Sequence, residues 1–207
     1  MPISSLGLSH ILVRAAAELG FVTPTPIQSQ AIPAVLRGAD VQGCAQTGSG
    51  KTAAFALPLL TRLNPRDFGT QALILCPTRE LASQVASEIR RLARYQPNIK
   101  VVTLCGGQAI GLQIGSLEHG AHVVVGTPGR IKDHLRKETL SLQRVNTLVL
   151  DEADRMLEMG FIDDIEAIIA ATPATRQTLL FSATYPDNIR ALSERFDAHL
   201  IAARRHR

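Results

Sequence analysis

Short apolar runs alternate with amphipathic stretches along the whole 207-residue chain. QALILC (71–76), IKVVTL (99–104), AHVVVG (121–126), NTLVLD (146–151) and QTLLFS (177–182) are nearly continuous in apolar residues. Runs of that length and character predict strands buried on both faces, as in a parallel sheet. DVQGC (40–44) is a weaker strand of the same kind. Between the strands the period changes. In TRELASQVASEIRRLARY (78–95), Leu81, Val85, Ile89 and Leu92 fall at spacings of four, four and three, one face of a helix. GKTAAFALPLLTRL (50–63) and FIDDIEAIIAAT (161–172) predict two more helices. LSHILVRAAAELG and PIQSQAIPAVLRG, within residues 1–40, predict another pair, with Pro24 and Pro26 fixing the turn between them and Gly38 ending the second. Strands alternating with helices imply an α/β fold: a mostly parallel central sheet with helices on both faces, in three layers.

Length and composition narrow this only a little. The chain suits one well-cored domain, with residues 1–40 as a helical segment of the same unit. No internal repeat interrupts it. The longest apolar run, AAFALPLL (53–60), is far too short to span a bilayer, so no membrane partner is expected. The first twenty residues carry no basic leader before an apolar core, which predicts no secretory signal and a cytoplasmic location. Cys44, Cys76 and Cys105 are odd in number and far apart, which argues against a disulfide framework or a structural metal. Three of the basic residues, Arg204, Arg205 and Arg207, lie in the last four positions; without them 19 basic residues face 18 acidic ones. Net charge therefore identifies no partner, and any nucleic-acid contact must come from local groups.

Two stretches carry chemistry. AQTGSGKT, from Ala45 through Gln46, Thr47, Gly48, Ser49, Gly50 and Lys51 to Thr52, follows a strand and opens a helix. Glycines there let backbone N–H groups face phosphates, and the helix N-terminus favours negative charge. Lys51 would reach the β- and γ-phosphates of a nucleotide, and the Thr52 hydroxyl would bind Mg²⁺. The usual pattern begins with glycine where this chain has Ala45. The second stretch is NTLVLDEADRML (146–157), in which a buried strand runs into three carboxylates within four positions. A cation would offset their repulsion. Asp151 is placed to serve as the second Mg²⁺ acid of a phosphate-loop enzyme, directly or through a water, and Glu152 to polarise an attacking water.

Together these stretches resemble the DEAD-box family of ATP-dependent RNA helicases, in which Asp151-Glu152-Ala153-Asp154 spells the family name. The resemblance runs from about Ile3 to Ala203 and is to the family's first RecA-like domain, so a RecA-like phosphate-loop domain with ATP or ADP and Mg²⁺ is implied. FVTPTPIQ (21–28), with Phe21, Pro26 and Gln28, looks like the family's Q motif; Gln28 would pair with N6 and N7 of adenine. The family's adenine-stacking aromatic aligns with Ile3, an apolar lid without π-stacking, and Phe21 is the alternative aromatic, a base contact or a core residue. Pro77, Thr78 and Arg79 of PTRELA, Gly106-Gly107, and Thr127, Pro128, Gly129 and Arg130 of TPGR match the RNA-contacting signatures. All three follow predicted strands and so share one edge of the sheet, where hydroxyls, N–H groups and arginines suit sequence-independent contacts to phosphate and ribose. Ser182, Ala183 and Thr184 match the signature whose hydroxyls bond the acid cluster at Asp154 and couple nucleotide state to RNA.

The residues from 33 to 60 look closest to bacterial, RhlE-like members. The family's second RecA-like domain, which supplies arginine fingers, has no counterpart before Arg207. The resemblance therefore implies an N-terminal ATP-binding half that binds nucleotide, hydrolyses ATP barely and does not unwind RNA alone. A non-catalytic nucleotide- or RNA-binding module is the alternative. Lys51, Asp151 and Glu152, all present, favour the enzyme.

Overall fold

The structure, a computed structural model, describes residues 1–46, 48, 50–194 and 198–202, the last five by backbone alone. Thr47 and Ser49 of the glycine-rich loop lie outside the described residues.

Seven parallel strands form one sheet: β1 (Asp40–Cys44), β2 (Ala72–Leu75), β3 (Val101–Leu104), β4 (Val123–Gly126), β5 (Thr147–Leu150), β6 (Gln177–Ser182) and β7 (Ala198–Ala202). Their spatial order is β3-β4-β2-β5-β6-β1-β7. Nine helices accompany them among the described residues: α1 (His10–Glu18), α2 (Pro26–Leu36), α3 (Lys51–Arg62), α4 (Arg79–Leu92), α5 (Ile110–Leu117), α6 (Pro128–Arg136), α7 (Ala153–Glu158), α8 (Ile162–Ala170) and α9 (Asp187–Ser193). The three-layer arrangement expected from the alternating pattern is present. β7 falls in a stretch that carried no strand expectation.

The apolar strands divide their side chains by parity, as a pleated sheet must. Ala72 and Ile74 of β2 face one core, with Val125, Val149, Leu179 and Phe181 and the inner faces of α1 to α4. Leu73 and Leu75 face the other, with Val124, Leu148, Leu150 and Leu180 beneath α6, α8 and α9. Fully burying one such leucine or phenylalanine contributes roughly 1.5–3 kcal/mol. Phe55 of α3 meets Phe181 of β6 with ring centroids 5.5 Å apart. That contact seats the helix after the glycine-rich loop on the strand that ends at Ser182.

The two N-terminal helices share the first core through Leu12, Ile27 and Val35. A surface clasp reinforces them: Tyr95 donates to Glu18 at 2.5 Å, and the guanidinium of Arg14 stacks 4.3 Å from its ring. No helix among the described residues is long and apolar enough to cross a membrane.

Register positions the site. Leu75 pairs with Gly126 on one side and Leu150 on the other, Leu150 pairs with Leu180, and Cys44 pairs with Ser182. Parallel strands that end level deliver the segments after them to one edge. Along that edge stand, in order, residues 105–107, 127–130, 76–79, 151–154, 182–184 and, after β1, residues 45, 46, 48 and 50–52.

Candidate active site

The strand between the glycine-rich loop and the acid cluster is β6, from later in the chain, and not one of the three strands that lie between them in sequence. One intervening strand brings Lys51 within reach of the acids. Its ammonium sits 3.0 Å from Asp151 Oδ1 and 3.5 Å from Glu152 Oε1. Lys51 is 5% exposed and Asp151 has no exposed surface. Burial holds the Asp151 carboxyl above its ordinary value, and the neighbouring Lys51 charge pulls it back down. Among the described residues Lys51 is the one cationic side chain within 4.0 Å of it. The Cys76 thiol is likewise pushed well up, by burial first and then by Asp151.

Glu152 adopts φ 51° and ψ 51°. A non-glycine residue in the left-handed region is uncommon, and such strain collects at working sites. Here it turns the chain from β5 into α7 and sets Glu152 between Lys51 and Arg155, whose Nη1 lies 3.6 Å from Glu152 Oε2. Arg155 was not marked by the sequence; its position one turn after the acid was the available signal.

Asp154 points the other way. Its Oδ2 accepts from the Thr184 backbone N–H at 3.2 Å and from the Thr184 hydroxyl at 2.8 Å. Ser182 makes no bond to the acids. As the last residue of β6 it is buried, and its hydroxyl donates to the Thr184 carbonyl at 2.7 Å. Ala183 lines a cleft of about 490 Å³ with Ala45, Gln46, Lys51, Glu152 and Asp154.

Lys51 also lines a second cavity, of about 280 Å³, with Phe21, Gly48, Gly50, Thr52 and Glu88. Phe21, half-buried, also packs against the first core. The Thr52 hydroxyl lies beside the Glu88 carboxylate, whose pKa burial raises. Glu88 escaped the sequence reading, although it stands seven residues from Leu81 on the same helical face.

Gln28 is fully buried. Its Oε1 accepts from Thr25 N–H at 3.0 Å, and its Nε2 donates to the Gly50 carbonyl at 3.1 Å. Gly50, at φ +81°, has no room for a side chain, because a Cβ would lie 2.5 Å from Gln28 Nε2. One lone pair and one N–H of the amide remain, the number that a bidentate contact to adenine uses. Reaching them needs movement of the covering atoms. Pro26 opens α2 as its first residue and is exposed. Ile3 is 2% exposed and packs in the core, so it forms no apolar lid here; an aliphatic side chain gains more from burial than from a surface position.

The three other signatures flank this site. Thr78 caps α4, its hydroxyl accepting from Leu81 N–H at 3.2 Å, and Pro77 before it is buried. Arg79 is exposed and lies over Gly107, where φ is +83° and a Cβ would fall 2.5 Å from Arg79 Nη1. Gly106 is exposed beside it. Thr127 precedes α6, with Pro128 as its first residue and Gly129 next. Arg130 Nη1 donates to the Gln108 carbonyl at 2.9 Å and to Gln113 Oε1 at 3.1 Å. The structure thus brings the expected residues to one edge. It also engages two of them, Gln28 and Arg130, with protein partners that the sequence did not reveal.

A divalent cation suits the acid cluster: Asp151 is buried, and both its oxygens lack a well-formed hydrogen bond. No group of three or more His, Cys, Asp or Glu side chains among the described residues could hold a metal unaided. An ion here would complete its shell with water and phosphate oxygens, the habit of Mg²⁺.

The family model described as DEAD/DEAH box helicase matches residues 25–192. Over 178 residues, 86% of this chain, the sequence is 61% identical to the ATP-dependent RNA helicase DbpA of Escherichia coli, of which that match covers 39%. It is 53% identical over 193 residues, 93% of the chain, to the ATP-dependent RNA helicase DeaD of Haemophilus influenzae, covering 32% of that protein. The chain therefore spans about a third to two-fifths of the length of these relatives. The crystal structure of a DEAD box protein from the hyperthermophile Methanococcus jannaschii superposes with a TM-score of 0.94 at 45% identity, over 99% of this chain and 56% of that one. The fold is accordingly the RecA-like α/β sandwich expected from the resemblance. With the model matched over most of its length, the chain belongs to the DEAD/DEAH box helicase family.

Proposed function

We propose that this chain is the ATP-binding domain of an ATP-dependent RNA helicase, a single RecA-like unit over residues 1–207 that works with a second RecA-like domain of the same protein. One observation carries the reading: a buried lysine at the opening of α3 holds two acids from the end of β5 across one strand. Nothing in packing requires three charged groups there, and a buried ion pair is poor evidence of stability for its own sake. A phosphate group explains them. In its absence Lys51 and the acids neutralise one another. When a nucleotide enters, Lys51 turns to its β- and γ-phosphates and the N–H groups of residues 45–52 cradle them.

Thr52 and Asp151 would hold Mg²⁺, which supplies charge neutralisation at the phosphates when bound. Glu152, fixed by its left-handed backbone and by Arg155, orients the attacking water and accepts its proton. Asp154, tied to Thr184, passes the state of the acids to residues 182–184. Gln28 joins the loop to the adenine, by way of the lone pair and N–H that Thr25 and Gly50 leave over. Pro77, Thr78, Arg79, Gly106, Gly107 and residues 127–130 take the backbone of one RNA strand at the other end of the same edge. The share of the relatives' length that the chain spans supports the view that arginine fingers lie in a second domain. Such a finger contributes on the order of a thousandfold or more to turnover, so the chain alone would hydrolyse ATP barely.

In this reading the protein belongs to a bacterial RhlE-like branch, which the resemblance over residues 33–60 supports, and its work is cytoplasmic. A nucleotide- or RNA-binding module without turnover is the rival; the presence of Lys51, Asp151 and Glu152 favours the enzyme. The test is stimulation of ATP hydrolysis by nucleic acid in the whole protein that carries this chain. Single-stranded RNA is expected to stimulate strongly and DNA of the same sequence weakly. Equal or greater stimulation by DNA overturns the RNA assignment, and no hydrolysis under either condition favours the module.

A further inference from the structure

Helix α5 gives its most buried position to a glutamine. Its sequence, IGLQIGSL, is almost wholly apolar, yet its one buried residue is Gln113, and Leu112 is 76% exposed. Hydrophobic burial does not explain that orientation. The partners of the amide do. Gln113 Nε2 donates to the Cys105 carbonyl at 2.8 Å. Gln113 Oε1 accepts from Arg130 Nη1 at 3.1 Å and lies 2.9 Å from His134 Nε2. His134 is buried in turn, with Nδ1 2.8 Å from the Thr139 hydroxyl. Burial and the neighbouring Arg130 hold its pKa below the ordinary value. With the hydrogen on Nε2 the ring donates to Gln113 Oε1, and the single hydrogen of the Thr139 hydroxyl is shared between Nδ1 and the His134 carbonyl, 3.2 Å away.

One side chain thus ties two other segments to α5. They are the carbonyl immediately before Gly106-Gly107 and helix α6, which it meets at Arg130 and again at His134 in the last turn. The guanidinium it grips is pinned on several sides. Nη1 also donates to the Gln108 carbonyl, and Nε stands 3.8 Å from Asp133. Among the described residues Nη2 has no such partner.

We propose that Gln113 is a positioning residue for RNA: it fixes the Arg130 guanidinium and the Gly106-Gly107 turn relative to each other so that both meet the phosphates of one strand. The proposal rests on the RNA-contact reading of those two segments and adds a residue that touches no RNA. Ordering a long side chain opposes association, and a side chain ordered during folding escapes that cost on binding. A guanidinium held at Nη1 keeps Nη2 as its remaining donor group.

The test is an NMR titration of the chain with a short single-stranded oligouridylate, which follows affinities into the millimolar range. The amides of Gly106 and Gly107 report. Arg130→Ala and Gln113→Met, the latter unbranched and of similar length, are each expected to weaken binding by about tenfold, the effect of one charge-assisted contact. The double variant should be no weaker than Arg130→Ala by more than about twofold, since the two act as a unit. ADP affinity should stay unchanged in Gln113→Met. If that variant folds poorly, Gln113→Glu, which keeps the acceptor for Arg130, carries the same comparison, with binding closer to the parent's. An unaffected Arg130→Ala, or no binding by the parent chain, overturns the RNA reading itself. Loss in Arg130→Ala with parental binding in Gln113→Met overturns this proposal and leaves that reading intact. Additive losses, or a parallel loss of ADP affinity, also overturn it.

Discussion

Lys51→Ala is expected to abolish detectable nucleotide binding and, separately, to destabilise the domain by about 3 kcal/mol, the usual cost of leaving one member of a buried pair alone. For a domain of this size that is a fall of roughly 9 °C in melting temperature. The second effect arises because Asp151 has no exposed surface and Lys51 is its cationic neighbour. Adding Asp151→Asn removes the unpaired charge, so the double variant should recover much of the lost stability and none of the binding. The single variant should also carry a pH signature. Without Lys51 the Asp151 carboxyl, already raised by burial, rises further above its unfolded value. A raised carboxyl favours the folded state while it is protonated. The penalty is therefore absent below about pH 4, the unfolded value, and grows as pH climbs through the folded one. Urea denaturation of the three variants at several pH values measures this. A Lys51→Ala protein as stable as its parent at neutral pH would contradict the pairing.

Glu152→Gln should separate binding from turnover. The amide keeps the shape of the carboxylate and the left-handed backbone that β5 and α7 impose, so nucleotide affinity should change by less than about threefold. It cannot accept the proton of a water. RNA-stimulated hydrolysis by the whole protein is expected to fall by about a hundredfold or more, the usual contribution of a positioned general base. Steady-state hydrolysis and equilibrium binding of the same variant give the two numbers. Turnover within tenfold of the parent's would move the water-positioning role to another group.

Much of this was legible in the sequence because its causes are local. A strand buried on both faces has to be apolar throughout, and five of the seven were read from that property. Helix α4 followed from one stripe, Leu81 to Leu92, and α3 from its place after the glycine-rich loop. The nucleotide site was equally local: a lysine after glycines, and acids after a strand. What stayed hidden depends on how distant pieces meet. That β6 slips between β1 and β5 is a matter of strand order, which no single run encodes. α6, α7 and α9 are short, and the stretches that open two of them were read for their chemistry. α5 was missed because its fully buried residue is a glutamine, while Leu112 is exposed and its other large apolar residues are only partly buried. Gln28 read as a base contact, and the fold has already given its amide to Thr25 and Gly50. Thr52 read as a metal ligand, and its hydroxyl lies beside Glu88, 36 residues further on. Side chains with spare hydrogen-bonding capacity find partners during folding, and those partners become visible only when the chain is closed.

The measurement nearest the centre of this account is a calorimetric titration of the chain with ADP and, separately, with pyrophosphate, in the parent and in Gln28→Ala. The parent should bind both in a saturable way. Gln28→Ala should weaken ADP by about tenfold, as expected for two lost hydrogen bonds to the base, and leave pyrophosphate unchanged. No saturable ADP binding by the parent, or an ADP affinity that ignores Gln28, would contradict it.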